Sequence, residues 1–442
     1  MKKSKLFWCF TAAFLMLGLT LSVGTLVFGP SKGGANEQLS SRPQLILADG
    51  RWNPDFLSDA ASWYSDHFFL RQELISVNNL VSAKFFGISG SDSVILGKDG
   101  WLYYADTLAD YADTNEMAER ELFGAANNLA LMAEYCRDNG KKFLFAMAPN
   151  KNSLYPMNMP ERIPRGSNSN RKGLFAWLES MEVPYADLFE RFGREDEVLY
   201  FAHDSHWNSK GAALGADAIN AGFGVKSDYY HSNFTQMQPH EGDLYEMLYP
   251  AFRDREGDPV YLGELKFTYT GNGKAPDSIT LETAGEGEGK LLAYRDSFGN
   301  LLYPYLADTY GEVLFSRATV YDLTPDADYV LIELVERNIK YLLTYVPVMP
   351  SPVRILAMGW QPTGETTLSQ TKGKVPEGCV QLQGTVEDGT GRVWVVCGEI
   401  AYEAFLLKDG GFAVNIPAEA RPESVVYECG SDVKLLTVQS MK

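Results

Sequence analysis

Two short segments hold the residue types that nucleophilic chemistry needs. The first reads Phe201-Ala-His-Asp204-Ser-His206-Trp207-Asn208, between a strand-like run and the start of a helix. The second reads Ala293-Tyr-Arg295-Asp296-Ser297-Phe298-Gly299, where an apolar run gives way to helix-like periodicity. A serine in the first turn of a helix exposes its hydroxyl beside free backbone N–H groups that can stabilise an oxyanion. The hydroxyl is a weak nucleophile and needs an adjacent base. His206 has the chemistry of that base. Asp204, two residues earlier, can hold the other imidazole nitrogen and fix the tautomer. Trp207 is placed to wall the site.

Each segment also has a plain structural reading. Asp-Ser before a helix is commonly an N-cap, so Ser297 alone reads as a cap. Asp204, Ser205 and Asn208 read equally well as caps, with His206 a satisfied loop histidine. Taken together, in chain order and at the ends of strands, the residues favour an Asp/His/Ser set.

The elements that must position them alternate. Helical stretches are expected at 116–139, ended by Gly140, at 170–181, at 208–223 and from 298 to about 307. Short apolar runs at 142–148, 183–188, 291–294, 312–315 and 329–334 read as buried strands, with 198–201 leading into the His206 loop. Strands alternating with helices imply an α/β fold with a mostly parallel sheet and helices on both faces. Ligands of such sheets gather beyond the carboxyl ends of the strands, where both segments lie. Val94 to Tyr104 reads as a hairpin turning at Asp99-Gly100. After about Tyr345 prolines interrupt the chain. Short alternating runs separated by Gly-rich turns, among them Asp388–Gly391, then predict a small antiparallel β domain. The expected division is 1–29 cytoplasmic stub and anchor, 30–54 linker, 55–345 α/β domain and 346–442 β-rich accessory domain.

Lys2, Lys3 and Lys5 precede an uncharged run from Leu6 to Phe28, long enough to cross a hydrocarbon layer of about 30 Å. The lysines hold the N-terminus inside and place the rest outside. A cleaved signal peptide is the rival reading; its apolar region is usually shorter and ends in a small-residue site. The formal net charge of −18 argues against nucleic-acid binding and against docking on anionic lipid beyond the anchor. The five cysteines contain no C-x-x-C pair, and no metal or other cofactor is expected. A disulfide among Cys379, Cys397 and Cys429 is compatible with export, its pairing unreadable.

Asp204-Ser-His206-Trp207, followed about ninety residues later by Arg295-Asp296-Ser297-Phe298, resembles the DHHW-type, SGNH-hydrolase-like proteins related to periplasmic alginate O-acetyltransferases. The segments Asp66–Arg71, Leu96–Leu102, Ala148–Lys151 and Pro325–Asn338 look like that family too, so the resemblance covers roughly 55–345 and the anchor. Ser205 stands where the family name has a second histidine, and Arg295 where many SGNH enzymes have a glycine.

The resemblance implies transfer of an acetyl group to hydroxyls of a cell-surface or secreted polysaccharide. In such systems a membrane-bound O-acyltransferase supplies the acetyl unit and an anchored, outward-facing protein passes it on. Ser297 would take the acetyl group, His206 would serve as base and then acid, and Asp204 would orient it. The backbone N–H of Ser297 would be one oxyanion donor, with Asn150 and Asn300 as candidates for another. Asp296 reads as a turn residue, and His67 as structural. His231 and His240 flank a polar loop without ligand spacing. Glu333 and Glu336, at the end of a buried strand, are within reach of the site, with Glu336 expected to pair with Arg337 or another neighbour. A carbohydrate acetyl esterase using the same triad, and a non-catalytic envelope scaffold, are the competing functions.

Overall fold

The computed structural model describes residues 2–34, 37–356, 359–387 and 390–441. Ala35 and Asn36 of the expected linker, and 388–389 of the expected Asp388–Gly391 turn, lie outside the described residues. The helices that organise the chain are α1 (Lys2–Phe28), α2 (Phe56–His67), α3 (Arg71–Val81), α4 (Glu119–Asp138), α5 (Ser169–Ser180), α6 (Ser209–Phe223) and α7 (Gly299–Thr309). The expected hairpin forms, Leu96 pairing with Leu102, and both Asp99 and Gly100 take positive φ as such a turn requires.

The central sheet has seven strands: β1 (Lys142–Ala148), β2 (Tyr185–Ala186), β3 (Phe267–Tyr269), β4 (Thr280–Gly285), β5 (Lys290–Tyr294), β6 (Glu312–Ser316) and β7 (Tyr329–Val335). Their order is β2-β1-β7-β5-β6-β4-β3. The first five in that order pair parallel, and β4 and β3 add antiparallel at one edge.

The apolar runs are continuous because the sheet is buried on both faces. Leu144, Ala146, Leu291, Ala293 and Leu331 pack with residues of α6 and α7 on one side. Phe143, Phe145, Leu292, Val330 and Ile332 pack with residues of α4 and α5 on the other. The strand expected over 183–188 shrinks to two residues, because Asp187 caps a helical turn at Leu188–Gly193.

The β-rich C-terminal region is a nine-stranded sheet between Val353 and Met441. It departs from the expected antiparallel pattern at one pairing, where Pro362–Gln370 runs parallel to Asp432–Met441. Its core is apolar, centred on Leu382, Val393, Phe412, Val414 and Val425. It meets the α/β region through α4. Asn128 donates to the carbonyls of Leu342 and Leu406 and accepts from the N–H of Leu406. Arg354 bridges Glu134 and Glu403 at 2.5 and 2.6 Å. All five cysteines are unpaired.

Candidate active site

Strand β5 ends at Tyr294, and the following turn is tied down on two sides. Asp296 receives the N–H of Phe298 on Oδ1 (2.9 Å) and the N–H of Val335 on Oδ2 (2.8 Å). Its own N–H reaches Glu333 Oε2 at 3.1 Å. Asp296 is thus a turn residue and Ser297 sits at the crest of the elbow, just before α7. Phe298 is fully buried beneath it.

The second loop runs from Tyr200 to Trp207, the two joined by an isolated bridge; the strand-like run 198–201 makes only this bridge and joins no sheet. Trp207 does not wall an opening. It is fully buried, stands perpendicular to Phe298 with centroids 4.9 Å apart, and donates Nε1–H to the Phe298 carbonyl at 3.1 Å. It is a strut between the two loops. Asn208 caps α6 through Gly211 N–H.

Across this strut the three polar groups meet. His206 Nε2 lies 2.8 Å from Ser297 Oγ, and His206 Nδ1 lies 2.7 Å from Asp204 Oδ1. Asp204 as a carboxylate only accepts, so Nδ1 carries the proton and the Nε2 lone pair faces the serine hydroxyl. His206 N–H also reaches Asp204 Oδ1, at 2.9 Å. The other Asp204 oxygen accepts from His240 Nε2 (2.9 Å) and Asp243 N–H (3.1 Å). His240 lies flat on Phe201, centroids 3.9 Å apart.

Burial alone would raise the Asp204 carboxyl; the charge and hydrogen bond of His206, with those of His240, hold it well below the usual range. Burial pulls His206 down, but the charge and hydrogen bond of Asp204 and the charge of Asp243 outweigh it and leave its pKa raised. Asp243 is itself raised, by burial and then by Asp204. Glu333 is driven well above its ordinary value by burial and by the charge of Asp296.

Lys151 holds the loop from within. It follows β1, is 3% exposed, and donates to the carbonyls of Phe201 (3.0 Å), Ala202 (2.9 Å) and Asp204 (2.7 Å). Burial pushes it down to about 7, while three acceptors match the three donors of the ammonium form. From outside, Glu256 accepts the N–H groups of Ala202 and His203, at 2.5 and 2.9 Å. His203 Nδ1 pairs with Asp254. His203, Asp254 and Glu256 each bring a ligand-type atom within 4.8 Å of the others, as do Asp204, His206 and Asp243. Both Glu256 oxygens already accept backbone N–H groups, which reads the first set as a loop clasp.

The other expected site residues are placed differently. Asn150 is fully buried, its Nδ2 on Asp110 at 3.2 Å. Asn300 is held by Arg295, whose Nη1 donates to Oδ1 at 2.7 Å, which orients the amide. Arg295 is buried, with Nη2 on the Pro276 carbonyl at 2.6 Å, and burial pushes it down to about 10. Glu336 accepts from Asn150 N–H (2.9 Å) and Ser153 Oγ (2.6 Å) rather than pairing with Arg337. Arg337 lies over Tyr104 and Phe298, 5.3 and 5.8 Å from the ring centroids, and its charge lowers His206. His67 bonds the Trp63 carbonyl and stacks on that ring.

His240, Asp243 and Lys151 are the neighbours that sequence reasoning missed. For Lys151 a signal existed: it directly follows a buried strand, where ligand and support groups of such sheets gather. For His240 there was none, since it arrives on a polar strand, Phe234–His240, paired with Glu256–Tyr261.

Residues 94–271 match the family model described as the SGNH hydrolase-like domain of the acetyltransferase AlgX. The match contains Asp204 and His206 and stops before Ser297. A probable alginate O-acetylase AlgJ of Pseudomonas syringae pv. tomato is 23% identical over 288 residues, 62% of this chain and 69% of that protein. Among solved structures, a DHHW family protein from Eubacterium siraeum is 15% identical with a TM-score of 0.42, over 57% of this chain and 94% of that one. Bacillus cereus PatB1 is 17% identical with a TM-score of 0.44, over 56% of this chain and 96% of that one. Residues 94–271 are thus similar to an SGNH hydrolase-like acetyltransferase domain and the chain to an alginate O-acetylase, which supports an enzyme of the acyltransferase or esterase type.

Proposed function

We propose that the chain is an extracytoplasmic, membrane-anchored O-acetyltransferase that moves an acetyl group onto hydroxyls of a cell-surface or secreted polysaccharide. The observation that carries this reading is the unbroken relay Ser297 Oγ, His206 and Asp204, at 2.8 and 2.7 Å, at the carboxyl ends of the central strands. Relatives named as alginate O-acetylases support a sugar hydroxyl as the acceptor.

In the first half-reaction His206 Nε2 takes the Ser297 hydroxyl proton as Oγ attacks the acetyl carbonyl. The oxyanion forms at the elbow, where the N–H of Ser297 would be one backbone donor. The N–H of Phe298 is spent on Asp296, and that of Asn300 on the Ser297 carbonyl. Collapse expels the donor's oxygen, which leaves with the proton from His206 Nε2, and acetyl-Ser297 remains. In the second half-reaction His206 takes the proton of a sugar hydroxyl as its oxygen attacks the acetyl carbon. Collapse of the tetrahedral adduct breaks the bond from the acetyl carbon to Ser297 Oγ, His206 Nε2 returns the proton to that oxygen, and the acetylated sugar leaves. Asp204 keeps its negative charge throughout and steadies the transient imidazolium. With water in place of the sugar the same steps give an esterase.

The helix Phe7–Phe28 has the length and hydropathy of a membrane span. The lysines before it favour a single pass with the N-terminus inside and the site outside. A membrane-bound O-acyltransferase is the partner that would deliver the acetyl group to Ser297.

The test uses the full chain in detergent with p-nitrophenyl acetate. Wild type should show a nitrophenolate burst and an acetyl adduct on the peptide containing Ser297. Adding an oligosaccharide should divert acetyl from water to sugar. Release of acetate alone whatever glycan is added would make the protein an esterase; a Ser297→Ala variant that turns over normally would remove the triad reading. Protease added to intact cells should digest the region after residue 30, and full protection there would reverse the proposed orientation.

A further inference from the structure

Helix α3 is built inside out. Its inward face is polar: Ser76 and Asn79 are buried, Asn79 Nδ2 donates to the Leu248 carbonyl at 2.8 Å, and Ser76 Oγ accepts the N–H of Ala251 at 2.9 Å. Its outward face is mostly apolar, interrupted by the exposed Glu73 in the first turn. Leu70, Leu74, Val77 and Val81 recur at i, i+4, i+7 and i+11, one stripe of a helix. Leu80 joins its edge, and the π-helical turn Ser82–Phe86 extends it to Phe85 and Phe86. Phe85 and Phe86 are 72% and 69% exposed. A helix packed on a water-soluble surface shows the opposite arrangement, and a contiguous exposed apolar patch of this kind marks an interaction surface.

The position of the stripe says what covers it. The segment just before α3 is fastened to the outer end of α1. Tyr64 Oη meets Ser22 Oγ at 2.8 Å, Phe69 N–H donates to Thr25 Oγ1 at 2.8 Å, and Phe69 stacks on Phe28 with centroids 5.1 Å apart. The span Phe7–Phe28 is about 33 Å long at 1.5 Å per residue, so Thr25 to Phe28 lie where the hydrocarbon layer ends. Leu70, where the stripe begins, is at that level.

We infer that the α3 stripe, continued by Phe85 and Phe86, lies in the outer leaflet of the membrane that α1 crosses, its apolar side chains among the acyl chains next to the headgroups. This rests on the anchoring proposed above. The driving force is apolar burial, not charge, so a zwitterionic bilayer suffices despite the net charge of −18. One consequence is geometric: two attachments, a span and a surface helix, fix the tilt of the protein on the membrane, where a span and flexible linker would leave it free.

The test reconstitutes the full chain into phosphatidylcholine vesicles doped with a phosphatidylcholine bearing a diazirine near the start of its acyl chain. After illumination and tryptic digestion, adducts are mapped by mass spectrometry. The expected result is labelling of the peptides 72–84 and 85–98 within a few-fold of the anchor peptide, and at least tenfold above 409–434 in the β-rich region. An unlabelled anchor peptide overturns the anchoring and this inference with it. A labelled anchor with 72–98 at the level of 409–434 overturns this inference alone and leaves the stripe to a protein partner.

Discussion

The two sheets of this molecule treat buried polarity in opposite ways. At the carboxyl ends of the parallel strands the chain buries Asp204, Lys151, Arg295, Glu333 and Glu336 within a few turns of one another. Most of them sit away from their ordinary proton affinities: Lys151 is pushed down to about 7, Glu336 up to about 7, Asp204 well down and Glu333 well up. In the C-terminal sheet the buried polar groups are mainly neutral amides and hydroxyls that satisfy one another or the backbone. Gln381 donates to Asn415, which donates to the Pro347 and Met349 carbonyls, and the N–H of Asn415 reaches Ser351 Oγ. Among the described residues its one buried charge, Glu403, is matched by Arg354 and Arg392. Burying charge is unfavourable unless the groups are paired or used, so perturbed groups gathered at one strand end mark where chemistry is done.

If this contrast holds, substitutions at the strand ends lower activity more than stability. The largest effect is expected at the relay. Ser297→Ala and His206→Ala should each reduce acetyl turnover on the order of 10⁵-fold, and the double variant little further, because such groups act as a unit. Asp204→Asn should cost on the order of 10⁴-fold. Melting temperatures recorded alongside should move by a few degrees at most for Ser297→Ala. An N-cap role for Ser297 would reverse the pattern, with a loss of roughly 1 kcal/mol of stability and normal turnover.

Lys151→Met removes three donors from three buried carbonyls and should affect both observables. Each carbonyl left without a partner costs about 1–3 kcal/mol, so a destabilisation of roughly 3 kcal/mol or more is expected in denaturant titration. Because the same carbonyls fix the Asp204 loop, kcat should fall with stability. Unaltered kcat in the fraction that remains folded would make Lys151 a packing group only.

Arg354→Met tests the other side of the contrast. It leaves Glu134 and Glu403 facing each other at the seam between the regions, and breaking such a pair costs roughly 3 kcal/mol when both groups are buried. Arg354 is about 29% exposed, so about half of that is expected. The loss should appear in the unfolding midpoint and not in kcat/KM at a temperature where the variant is folded. A matching drop in kcat/KM would show that the C-terminal sheet shapes the site.

How much of this could be read from the sequence follows from the same contrast. Strands β1, β5 and β7 were legible because burial on both faces makes their apolar runs continuous, as in Phe143–Ala148. The elbow was legible because a strand end followed by a helix start is where such sheets place their chemistry, and the His206 loop because Asp204 and His206 stand just before a helix start, although the run 198–201 ahead of them joins no sheet. The stretch between α6 and β5 was not. Phe234–His240 and Glu256–Tyr261 are polar, carry Pro239 and Pro259, and pair irregularly at the surface, so neither period marks them. The hold on Asn300 was not legible either. Arg295, standing where many SGNH enzymes have a glycine, folds its large side chain back to donate to Asn300 Oδ1.

The smallest expected effect is also the most particular to this site. His206 acts as a base only when neutral, so activity should rise with pH through a pKa above the ordinary histidine value of about 6.5. His240 shares Asp204 with it. Burial lowers His240, but the hydrogen bond and charge of Asp204, followed by the charges of Asp258 and Glu256, leave it raised, so it is cationic on the acid side. A second imidazolium on Asp204 repels a protonated His206 and draws on the same carboxylate. It therefore holds the His206 pKa lower than Asp204 alone would set it, and extends the active range toward acid. His240→Gln keeps an N–H donor for Asp204 and removes the charge. The acid limb of kcat/KM should then move to higher pH by a few tenths to one unit, the latter corresponding to about 1.4 kcal/mol. A limb that stays in place, with only the melting temperature lowered, would mean that His240 serves as a lid on Phe201 and takes no part in setting the base.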